Sequence, residues 1–581
     1  MSEPSTSDQR DQAGARSEPE TGSPIGLRAA VMQAAAELLR AGAEGAEGIA
    51  GEGRAAGPRG GITLERPPRP DFGDYSTNAA LLLAPRLRRS PREVAELLGG
   101  ELARTLGSAL DRFEVAGPGF VNLHVADRWL RDALAGALGA GAGFGAGAGA
   151  LGEPVLVEFV SANPTGPMHV GHARNAAYGD ALARMLEFRG ERVTREFYVN
   201  DAGSQVRVFG ASVQAVARGE DPPENGYRGE YVAELASRLP DAAAADPVEL
   251  GRAAVSAMIG EIQASLTAFA VKDFDHWTYE GRLHEGDPSP LAHALAVLEQ
   301  PGHTFLSEGA LWLRTSEFGD DKDRVLIRSD GEHTYFASDI AYYLDKRERG
   351  YDRQLNVWGA DHHGYVQRMK AAAQALGGDP DRLELLIMQL VHLVSSGGRA
   401  QMSKRAGEFV TLDDLVAEIG VDAARWYLLA RSHDTTVDLD LDLARSQSNE
   451  NPVYYVQYAH ARISSVLAKA GDERVEAAVA ALAVPGAPEP GPLHASERAL
   501  IKQLLDLPAE LAVAAERRAP HRIAAYALEL AQGFTAFYRD CRVLGVEPEA
   551  LESQRLALCV ASRQTIARCL DLLGVRAPLQ M

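Results

Sequence analysis

The feature that most constrains this chain is a short valine-rich run followed by a tight turn and a long helical pattern. The run PVLVEFV, Pro154 to Val160, is bounded by turn residues, as buried parallel strands usually are. The turn SANPTGPM follows, and helical periodicity then extends from about Val170 to Arg189. A strand, a turn and a helix in this order open a nucleotide-binding α/β unit.

The tetrapeptide His169-Val170-Gly171-His172 lies where this helix begins. Unpaired backbone N–H groups and the positive end of the helix dipole converge there with two imidazoles, which predicts a phosphate site. Gly171 is expected to leave room for a base or ribose against the backbone. The alternative is a pair of helix-capping histidines near the surface, but the preceding strand and P-T-G-P turn favour the phosphate site.

A second motif, Met402-Ser403-Lys404-Arg405-Ala406-Gly407, comes more than two hundred residues later. Glycines on both sides, Gly397 and Gly398 before it and Gly407 at its end, predict a mobile loop. A lysine that closes over a triphosphate would lie in such a loop. By itself the motif is equally typical of a basic surface loop.

The length of 581 residues exceeds what one hydrophobic core holds, so three or four domains are expected. The strand-like runs LWLRT, RVLIRS, QLNVWGA and LLIMQLVHLV are expected to complete the parallel sheet that PVLVEFV and VTREFYV begin. We predict the following organisation: a disordered tail (1–25), a small α/β domain (26–128), a Gly/Ala-rich linker (129–150), a parallel-sheet domain (151–411) with an insertion near 205–300, a helical connection (412–450) and a helical domain (451–581).

The charge balance limits nucleic-acid binding. The chain has 59 basic and 80 acidic residues, a formal net charge of −21, which is unfavourable for non-specific contact with a polyanion. From Asn451 onward, however, 14 basic and 14 acidic residues balance. Any RNA contact is therefore expected to be local and shape-specific, and DNA is not expected as a partner.

The chain also lacks the patterns of a membrane or disulfide-stabilised protein. No apolar run reaches the ~20 residues that span a bilayer, and the amino terminus is polar, so a cytoplasmic protein is expected. The three cysteines, Cys541, Cys559 and Cys569, lie near the end in no metal-ligand pattern. Neither a disulfide framework nor a cysteine zinc site is predicted.

Taken together, the two cationic motifs resemble the HIGH and KMSKS signatures of class I aminoacyl-tRNA synthetases. The stretches EFVSANPTGPMHVGHARNAAYGDALAR, YVNDAGSQV, TYFASDIAYY, GADHHGY and MSKRAGEFVTLDDL closely resemble the bacterial-type arginyl-tRNA synthetases, and the likeness covers essentially the whole chain after the tail. Two departures stand out. Gln401 occupies the first lysine position of KMSKS, and the ending APLQM lacks the family's arginine before the final methionine.

This resemblance implies a multidomain α/β fold. Its parts are a class I Rossmann-like parallel-sheet catalytic domain with an insertion, a small α/β N-terminal additional domain that approaches the tRNA elbow, and an all-α C-terminal anticodon-binding domain of the DALR type. The implied activity joins L-arginine and ATP, supplied with Mg²⁺, into arginyl-adenylate and pyrophosphate, and then transfers arginine to the terminal 2′-hydroxyl of tRNA(Arg). Adenylate formation is expected to need bound tRNA, and a monomer is expected.

The resemblance also assigns roles to particular residues. They are catalysis by His169, His172 and Lys404; ATP binding by Gly166, His169, Gly171, His172, Met402, Ser403 and Lys404; arginine binding by Glu158, Ser161, Asn163, Glu280, Tyr335, Asp339 and His362; and tRNA binding by Tyr458, Arg462, Tyr538 and Met581.

Physical chemistry supports part of this assignment. A guanidinium is planar, permanently charged and best matched by carboxylates in a forked arrangement, which Asp339 and Glu280 would supply. On pattern alone, Tyr335 and Asp339 are equally typical of a helix start with a packed tyrosine. Tyr458 and Arg462, four residues apart on one helix face, are more often core and solvated rim than an RNA-binding pair.

Two other functions remain open from the sequence. A cysteinyl-type class I ligase would need cysteine or histidine zinc ligands at its pocket, whereas every cysteine here lies far downstream. A catalytically silent tRNA-binding paralogue would not need His169, His172 and Lys404, all of which are present.

Overall fold

The structure is a computed structural model that describes residues 24–44, 61–67, 69–147, 152–395, 398–399, 410–482, 484 and 490–581. The chain divides into two compact units. One holds the chain up to Phe144 with Ser465–Asp506 and Gly533–Gln564, and the other holds Gly145–Ser464, Leu507–Gln532 and Thr565–Met581. The predicted disordered tail lies outside the described residues, except for its last two positions, where the first helix begins.

The N-terminal part of the first unit is a small α/β assembly, as predicted. Its four strands form an antiparallel sheet in the order β1-β2-β4-β3. The α3 helix starts after Ser90 because Ser90 and Glu93 form a capping box across its first turn. The elements are α1 (Pro24–Glu44), β1 (Leu64–Glu65), β2 (Tyr75–Thr77), α2 (Ala79–Leu87), α3 (Pro91–Leu106), β3 (Leu110–Ala116), β4 (Phe120–Val125) and α4 (Asp127–Ala140).

The predicted Gly/Ala-rich linker, residues 129–150, is wrong over its first part, because α4 extends to Ala140. Leu130, Leu134 and Leu138 recur every four residues and are buried, so this stretch has the apolar face of a packed helix. The glycine- and alanine-rich residues that follow Ala140 concealed this helical pattern. Residues 148–151 of the predicted linker lie outside the described residues.

A five-stranded parallel sheet organises the second unit, in the order β12-β11-β5-β6-β7. From β5 the chain adds β6 and β7 on one side of the sheet, and from β11 it adds β12 on the other side. The topological switch therefore lies between β5 and β11. The elements up to β12 are β5 (Pro154–Glu158), α5 (Val170–Phe188), β6 (Arg192–Val199), α6 (Ser204–Ala217), α7 (Glu230–Arg238), α8 (Pro247–Ala268), β7 (His276–Tyr279), α9 (Pro290–Glu299), β8 (Thr304–Ser307), β9 (Ala310–Leu313), β10 (Arg324–Ile327), α10 (Tyr335–Glu348), β11 (Arg353–Gly359), α11 (Val366–Ala375) and β12 (Leu383–Met388).

The runs LWLRT and RVLIRS are strands, but they do not join the parallel sheet as expected. They form β9 and β10 of a separate antiparallel sheet in the order β10-β9-β8. The two-residue turn between β8 and β9 has positive φ at both Glu308 and Gly309, +51° and +79°. Such a turn closes a tight hairpin and commits β8 and β9 to antiparallel pairing.

The run LLIMQLVHLV is also divided between two sheets. Its first half forms β12, whereas its second half forms β13 of a three-stranded sheet in the order β14-β13-β15. The strand β15 falls within residues 412–450, which were predicted to form a helical connection. It pairs in parallel with β13, with Leu393 opposite Leu439 and both buried. The elements here are β13 (Val391–Ser395), β14 (Gly398–Arg399), α12 (Leu412–Ile419), α13 (Val421–Leu429), β15 (Val437–Asp440) and α14 (Leu441–Arg445).

From residue 452 onward, the described part of the chain has helices and no strand. The predicted single domain over 451–581 is nevertheless shared between the two units. In the first unit, Arg498 and Lys502 each reach Asp74 at 2.7 Å, which attaches one of these helices to the N-terminal sheet. The helices are α15 (Pro452–Ala470), α16 (Asp472–Leu482), α17 (Ala495–Leu505), α18 (Leu507–Glu516), α19 (His521–Asp540) and α20 (Glu549–Leu572). Among the described residues, no helix combines the length and apolar character needed to cross a bilayer.

A fully buried ion pair fixes α5 within the second unit. Asp180 of α5 and Arg425 of α13 have no exposed side-chain surface, and their Oδ2 and Nη2 atoms are 2.6 Å apart. Arg425 also donates to the carbonyls of Leu573 at 2.8 Å and Phe269 at 3.1 Å. Burial alone would raise the pKa of Asp180, but Arg425 and Arg184 hold it below its usual value.

Asp180→Asn is expected to lower the free energy of unfolding of this unit by about 3 kcal/mol, because it leaves a buried guanidinium without its counter-ion. Glu261→Gln is the control, since the ion pair of Glu261 with Arg238 is largely exposed and its loss should cost less than about 1 kcal/mol. Thermal unfolding followed by circular dichroism measures both. Equal, small shifts for the two variants would contradict the structural role of the buried pair.

Candidate active site

A cavity of about 820 Å³ opens at the carboxyl ends of β5, β6, β7 and β11. Open parallel sheets bind their ligands at this edge, beside the topological switch. The structure brings together in this cavity ten of the residues predicted to bind arginine or ATP. They are Glu158, Ser161, Asn163, His169, Gly171, His172, Glu280, Tyr335, Asp339 and His362.

The backbone directly after β5 shapes the cavity. Val160 and Ser161 have positive φ values of +67° and +41°, a region that residues with a Cβ rarely adopt and a β-branched residue least of all. Asn175 of α5 holds this turn, because its Oδ1 accepts the N–H of Val160 at 2.7 Å while its Nδ2 donates to Val357 of β11 at 2.9 Å. The turn places Ser161 and Asn163 at the cavity.

His169 and His172 lie at the amino terminus of α5 and cap it. The Nδ1 atom of His169 accepts the N–H groups of Gly171 at 3.0 Å and His172 at 3.4 Å, and the Nδ1 of His172 accepts the N–H of His169 at 3.3 Å. The rings stack with centroids 3.7 Å apart. The capping alternative is therefore correct as a description of their contacts, and both rings also line the cavity.

The charge state of these rings follows from their surroundings. Burial lowers the pKa of His169, and burial together with the adjacent His169 lowers the pKa of His172 to about 3. Both imidazoles are therefore neutral at physiological pH. Because each Nδ1 accepts a hydrogen bond, the proton of each ring is assigned to Nε2, which can donate to a ligand oxygen.

The two predicted glycines differ in their surroundings. Gly171 lines the cavity, and a Cβ on it would lie 2.8 Å from Cε1 of His169, so the absence of a side chain also accommodates the His169 ring. A Cβ on Gly166 would lie 3.4 Å from the hydroxyl of Tyr231, and Gly166 is not among the residues that line the cavity.

The opposite part of the cavity is acidic. Asp339 accepts a hydrogen bond from the hydroxyl of Tyr365 at 2.6 Å, and burial raises the pKa of Asp339 to about 6. Glu280 is 6% exposed, and burial together with the charge of Asp339 raises its pKa to about 7. The amide of Asn200, oriented with its nitrogen toward Glu280, donates to Oε2 at 3.0 Å. A cation bound between these two carboxyls would stabilise their ionised forms, so the pair is suited to a cationic ligand.

Glu158 already has polar partners on both carboxylate oxygens. Its Oε1 accepts the hydroxyl of Ser161 at 2.9 Å, and its Oε2 is in direct contact with the ammonium of Lys346. Sequence reasoning missed Lys346 and also Tyr365. The signal for Lys346 was its position seven residues after Asp339, which puts both on one face of a helix.

Two further arginine-binding candidates lie at the mouth of the cavity. The side chain of Tyr335, the first residue of α10, is 63% exposed. His362 follows β11, is exposed, and packs on Trp358 with ring centroids 5.4 Å apart.

Met402, Ser403, Lys404 and the irregular Gln401 lie outside the described residues. The chain that follows them is anchored beside the two histidines. Val170 donates its N–H to the carbonyl of Val410 at 3.2 Å, and Leu412 donates to Met168 at 2.7 Å. His169 and Thr411 form an isolated antiparallel bridge. The carboxyl-terminal flank of the second motif thus meets the first motif directly.

Comparison with known proteins gives three family matches along the chain. The arginyl tRNA synthetase N terminal domain matches residues 35–125, the catalytic domain of class I (R) tRNA synthetases matches 148–222 and 287–462, and the DALR anticodon binding domain matches 456–581. A Campylobacter jejuni crystal structure assigned as an arginyl-tRNA synthetase is 35% identical with a TM-score of 0.72, over 79% of this chain and 100% of that chain. The chain belongs to the arginyl-tRNA synthetase family.

Two more solved structures extend the comparison. The arginyl-tRNA synthetase of Thermus thermophilus is 25% identical with a TM-score of 0.72, over 96% of this chain and 100% of that chain. The Plasmodium falciparum enzyme is 16% identical with a TM-score of 0.68 over 94% and 98% of the two chains, which supports the fold alone. The predicted fold class and the predicted activity, an ATP-using arginine–tRNA ligase, are confirmed.

The residues predicted to contact tRNA in this synthetase family member have the following surroundings. On α15, Arg462 donates to the hydroxyl of Tyr458 at 3.0 Å and lies 4.9 Å from the ring centroid, with both side chains partly exposed. On α19, Tyr538 is 38% exposed and stacks on Phe534. Met581 is 54% exposed. Each has surface available to a partner.

Gly171→Ala is expected to lower kcat for arginine activation by at least about tenfold, because the added methyl displaces the His169 ring from the α5 terminus. Gly260→Ala on α8 is the matched control, since a Cβ there meets nothing within 4 Å and alanine favours a helix as much at both sites. Steady-state kinetics with circular dichroism measures the pair. A fully active Gly171→Ala enzyme would show that the position of His169 is unimportant.

Proposed function

We propose that L-arginine and ATP react in the cavity at the carboxyl ends of β5, β6, β7 and β11. The observation that carries this proposal is one cavity lined both by neutral histidines at a helix amino terminus and by two carboxyls with raised pKa values. The first feature suits the phosphates of ATP and the second suits a cationic side chain. Adenylate formation needs these two ligands side by side.

Asp339 and Glu280 hold the guanidinium of arginine in this proposal. A guanidinium presents several N–H donors in one plane and can bridge two carboxylates, whereas an ammonium acts as a single point charge. Tyr335 and His362 close the mouth of the pocket over the side chain. Asn163 and Ser161 bind the amino and carboxylate ends, and Glu158 contributes from beneath Ser161.

His169 and His172 donate from Nε2 to the phosphate oxygens, and Met402, Ser403 and Lys404 also bind the triphosphate. The arginine carboxylate attacks the α-phosphorus, the bond to the β-phosphate oxygen breaks, and pyrophosphate leaves. The terminal 2′-hydroxyl of tRNA then attacks the arginyl carbonyl, and AMP leaves. Each donor that strengthens its contact in the transition state contributes about 3 kcal/mol. Gly166 and Gly171 act through the backbone that carries the histidines.

Mg²⁺ enters with ATP as its counter-ion in this proposal. Within the described ranges, no group of three or more His, Cys, Asp or Glu side chains is arranged to hold a metal. Mg²⁺ usually keeps several waters and is bound through substrate phosphates with one or two carboxylates, so a protein cage is not required. When bound, the ion neutralises phosphate charge.

The tRNA contacts form the last part of the proposal. Residues 26–128 approach the tRNA elbow, and the helices from residue 451 bind the anticodon through Tyr458, Arg462, Tyr538 and Met581. An aromatic ring with an adjacent arginine can stack on a base and neutralise its phosphate, which supports Tyr458 and Arg462. The monomeric state, the cytoplasmic location and the boundaries of the parallel-sheet domain, 151–411, stay predictions.

Asp339→Asn is expected to raise KM for arginine at least about thirtyfold and to change KM for ATP by less than about threefold, because one of two charged partners of the guanidinium is lost. Glu348→Gln, on the exposed side of the same helix, is the control and should leave both constants unchanged. Aminoacylation kinetics measures these values. An equal rise of both KM values would refute the assignment of the arginine pocket.

The same assay has a predicted pH dependence. Arginine binds the ionised carboxylates, so its binding releases the protons that Asp339 and Glu280 hold at pKa values of about 6 and about 7. KM for arginine should therefore be constant above about pH 7 and rise as the pH falls below it, by up to tenfold per pH unit for each proton.

Exchange of pyrophosphate into ATP is expected to require tRNA as well as arginine. The reason is the family resemblance. The measurement compares exchange without tRNA, with intact tRNA(Arg) and with tRNA whose 3′-terminal ribose has been oxidised, which binds but cannot be charged. Exchange in both tRNA samples and little without tRNA is the expected result. Equal rates in all three would refute tRNA-dependent activation.

A further inference from the structure

Lys346 is a cation in the interior of the second unit. It lies in the last turn of α10, and its side chain is 1% exposed. A lysine is almost never buried to this extent unless it is paired. Among the described residues that line the cavity, Lys346 is the one lysine or arginine.

Three groups hold the ammonium in place. Its Nζ contacts Oε2 of Glu158 directly, lies 3.4 Å from Oδ1 of Asn356 on β11, and sits 3.9 Å from the ring centroid of Tyr342. Tyr342 is itself fixed, because its hydroxyl donates to the buried Glu196 at 2.6 Å. The ammonium therefore has a defined position between the sheet and α10.

This position links the ammonium to the cavity in two ways. Asp339, Tyr342 and Lys346 are spaced i, i+3 and i+7 along α10, so they share the face that the helix turns toward β5 and β11. Glu158, which Lys346 contacts, accepts the hydroxyl of Ser161 on its other oxygen. Ser161 Oγ in turn accepts the N–H of Tyr198 at 3.2 Å. The left-handed turn after β5 is thus tied to the ammonium through Glu158.

The charges around the cavity show why a resident cation is needed. Four carboxylates line the cavity: Asp361 is exposed to solvent, whereas Glu158, Glu280 and Asp339 are buried or partly buried. Arginine brings one positive side chain to these three. Without Lys346, two negative charges would remain uncompensated after arginine binds. Buried like charges of this kind oppose ionisation and raise each other's pKa values.

We propose that Lys346 is a positioning residue for arginine: as the permanent counter-ion of Glu158, it leaves Asp339 and Glu280 for the guanidinium and keeps Asp339 available at neutral pH. This inference rests on the proposed arginine pocket. In this inference, the main role of Glu158 is to pair with Lys346, and its contact with the substrate is secondary.

The groups that face Asp339 come from every neighbouring element. They are Tyr365 and His362 after β11, Glu158 at the end of β5, Glu280 after β7, Tyr198 on β6 and Lys346 on α10 itself. Burial raises the pKa of Asp339, the Tyr365 hydrogen bond lowers it, Glu158 raises it and Lys346 lowers it. Removing Lys346 should therefore raise this pKa, and removing the charge of Glu158 should lower it.

Four proteins test the inference: the wild type, Lys346→Met, Glu158→Gln and the double variant. Methionine keeps the length of the lysine stem without its charge, and glutamine keeps the shape of glutamate. KM for arginine and KM for ATP are measured in aminoacylation between about pH 5.5 and 9. The informative quantity is the pH midpoint of the arginine profile, because a general loss of stability or activity would not move it.

Lys346→Met should move the midpoint up by about 1 pH unit or more, since an opposite charge within a few ångströms shifts a pKa by about that amount. Glu158→Gln should move it down, and the double variant should return it to the wild-type value. The ATP profile should not move. Glu158→Gln keeps the test decisive if Lys346→Met fails to fold.

An unshifted midpoint in both single variants, or a double variant no closer to the wild type than Lys346→Met, would overturn the role of Lys346 as a counter-ion. Failure of the proposed arginine pocket looks different. In that case the wild-type arginine profile itself would be flat in this pH range, and Asp339→Asn would leave KM for arginine unchanged.

Discussion

The left-handed backbone at Val160 and Ser161 is the constraint on which the geometry of the site depends. A valine in this region costs about 1–3 kcal/mol, so its surroundings must enforce it. Asn175 accepts the Val160 N–H from one side, and Glu158 binds the Ser161 hydroxyl from the other. The turn sends the chain away from β5, so that α5 begins with its N–H groups at the cavity and runs back along the sheet.

Buried charges behind the turn support it. Glu158 orients Ser161, and Lys346 orients Glu158, so the strained backbone rests on an ion pair that is almost inaccessible to water. A buried pair of this kind is a weak source of net stability, because desolvation offsets most of the Coulomb attraction. Its value lies in fixing one geometry. The desolvation cost of this pair is located beside Asp339 and Glu280, whose raised pKa values leave them partly protonated.

Much of the catalytic core could be predicted from sequence, for an identifiable reason. The predicted strand Pro154 to Val160 and the observed β5, Pro154–Glu158, share their start, and the helix predicted over Val170 to Arg189 is observed at Val170–Phe188. A buried strand and a long helix carry dense local periodicity, so their types and limits need no knowledge of distant partners. The residues of the cavity came from motif resemblance, and ten of them do lie together.

The features that could not be predicted depend on contacts between residues far apart in sequence. Alternation identified LWLRT and RVLIRS as strands, but pairing depends on the hairpin turn at Glu308 and Gly309, which a survey of apolar residues overlooks. The strand β15 has only four residues, and it pairs with β13 although more than forty residues separate them in sequence. Local periodicity could not reveal this pairing. Lys346 was missed because a lysine followed by arginine and glutamate is typical of a solvated helix face. Its burial results from two carboxylates, Glu158 and Glu196, on neighbouring strands of the sheet.

If arginine binds in the proposed pocket, Lys346 also bears on how that pocket rejects lysine as a substrate. The cavity contains an ammonium already, and it is bound where a point charge is best served: against one carboxylate, over an aromatic face and beside an amide oxygen. The two other carboxyls have neutral partners instead: the Tyr365 hydroxyl donates to Asp339, and the Asn200 amide donates to Glu280. A flat cation with donors on several edges can satisfy both at once, while a second ammonium would leave one carboxyl unmatched and buried. Bound lysine would leave buried polar groups unpaired. The resulting difference in affinity between arginine and lysine can be large without a second, editing site.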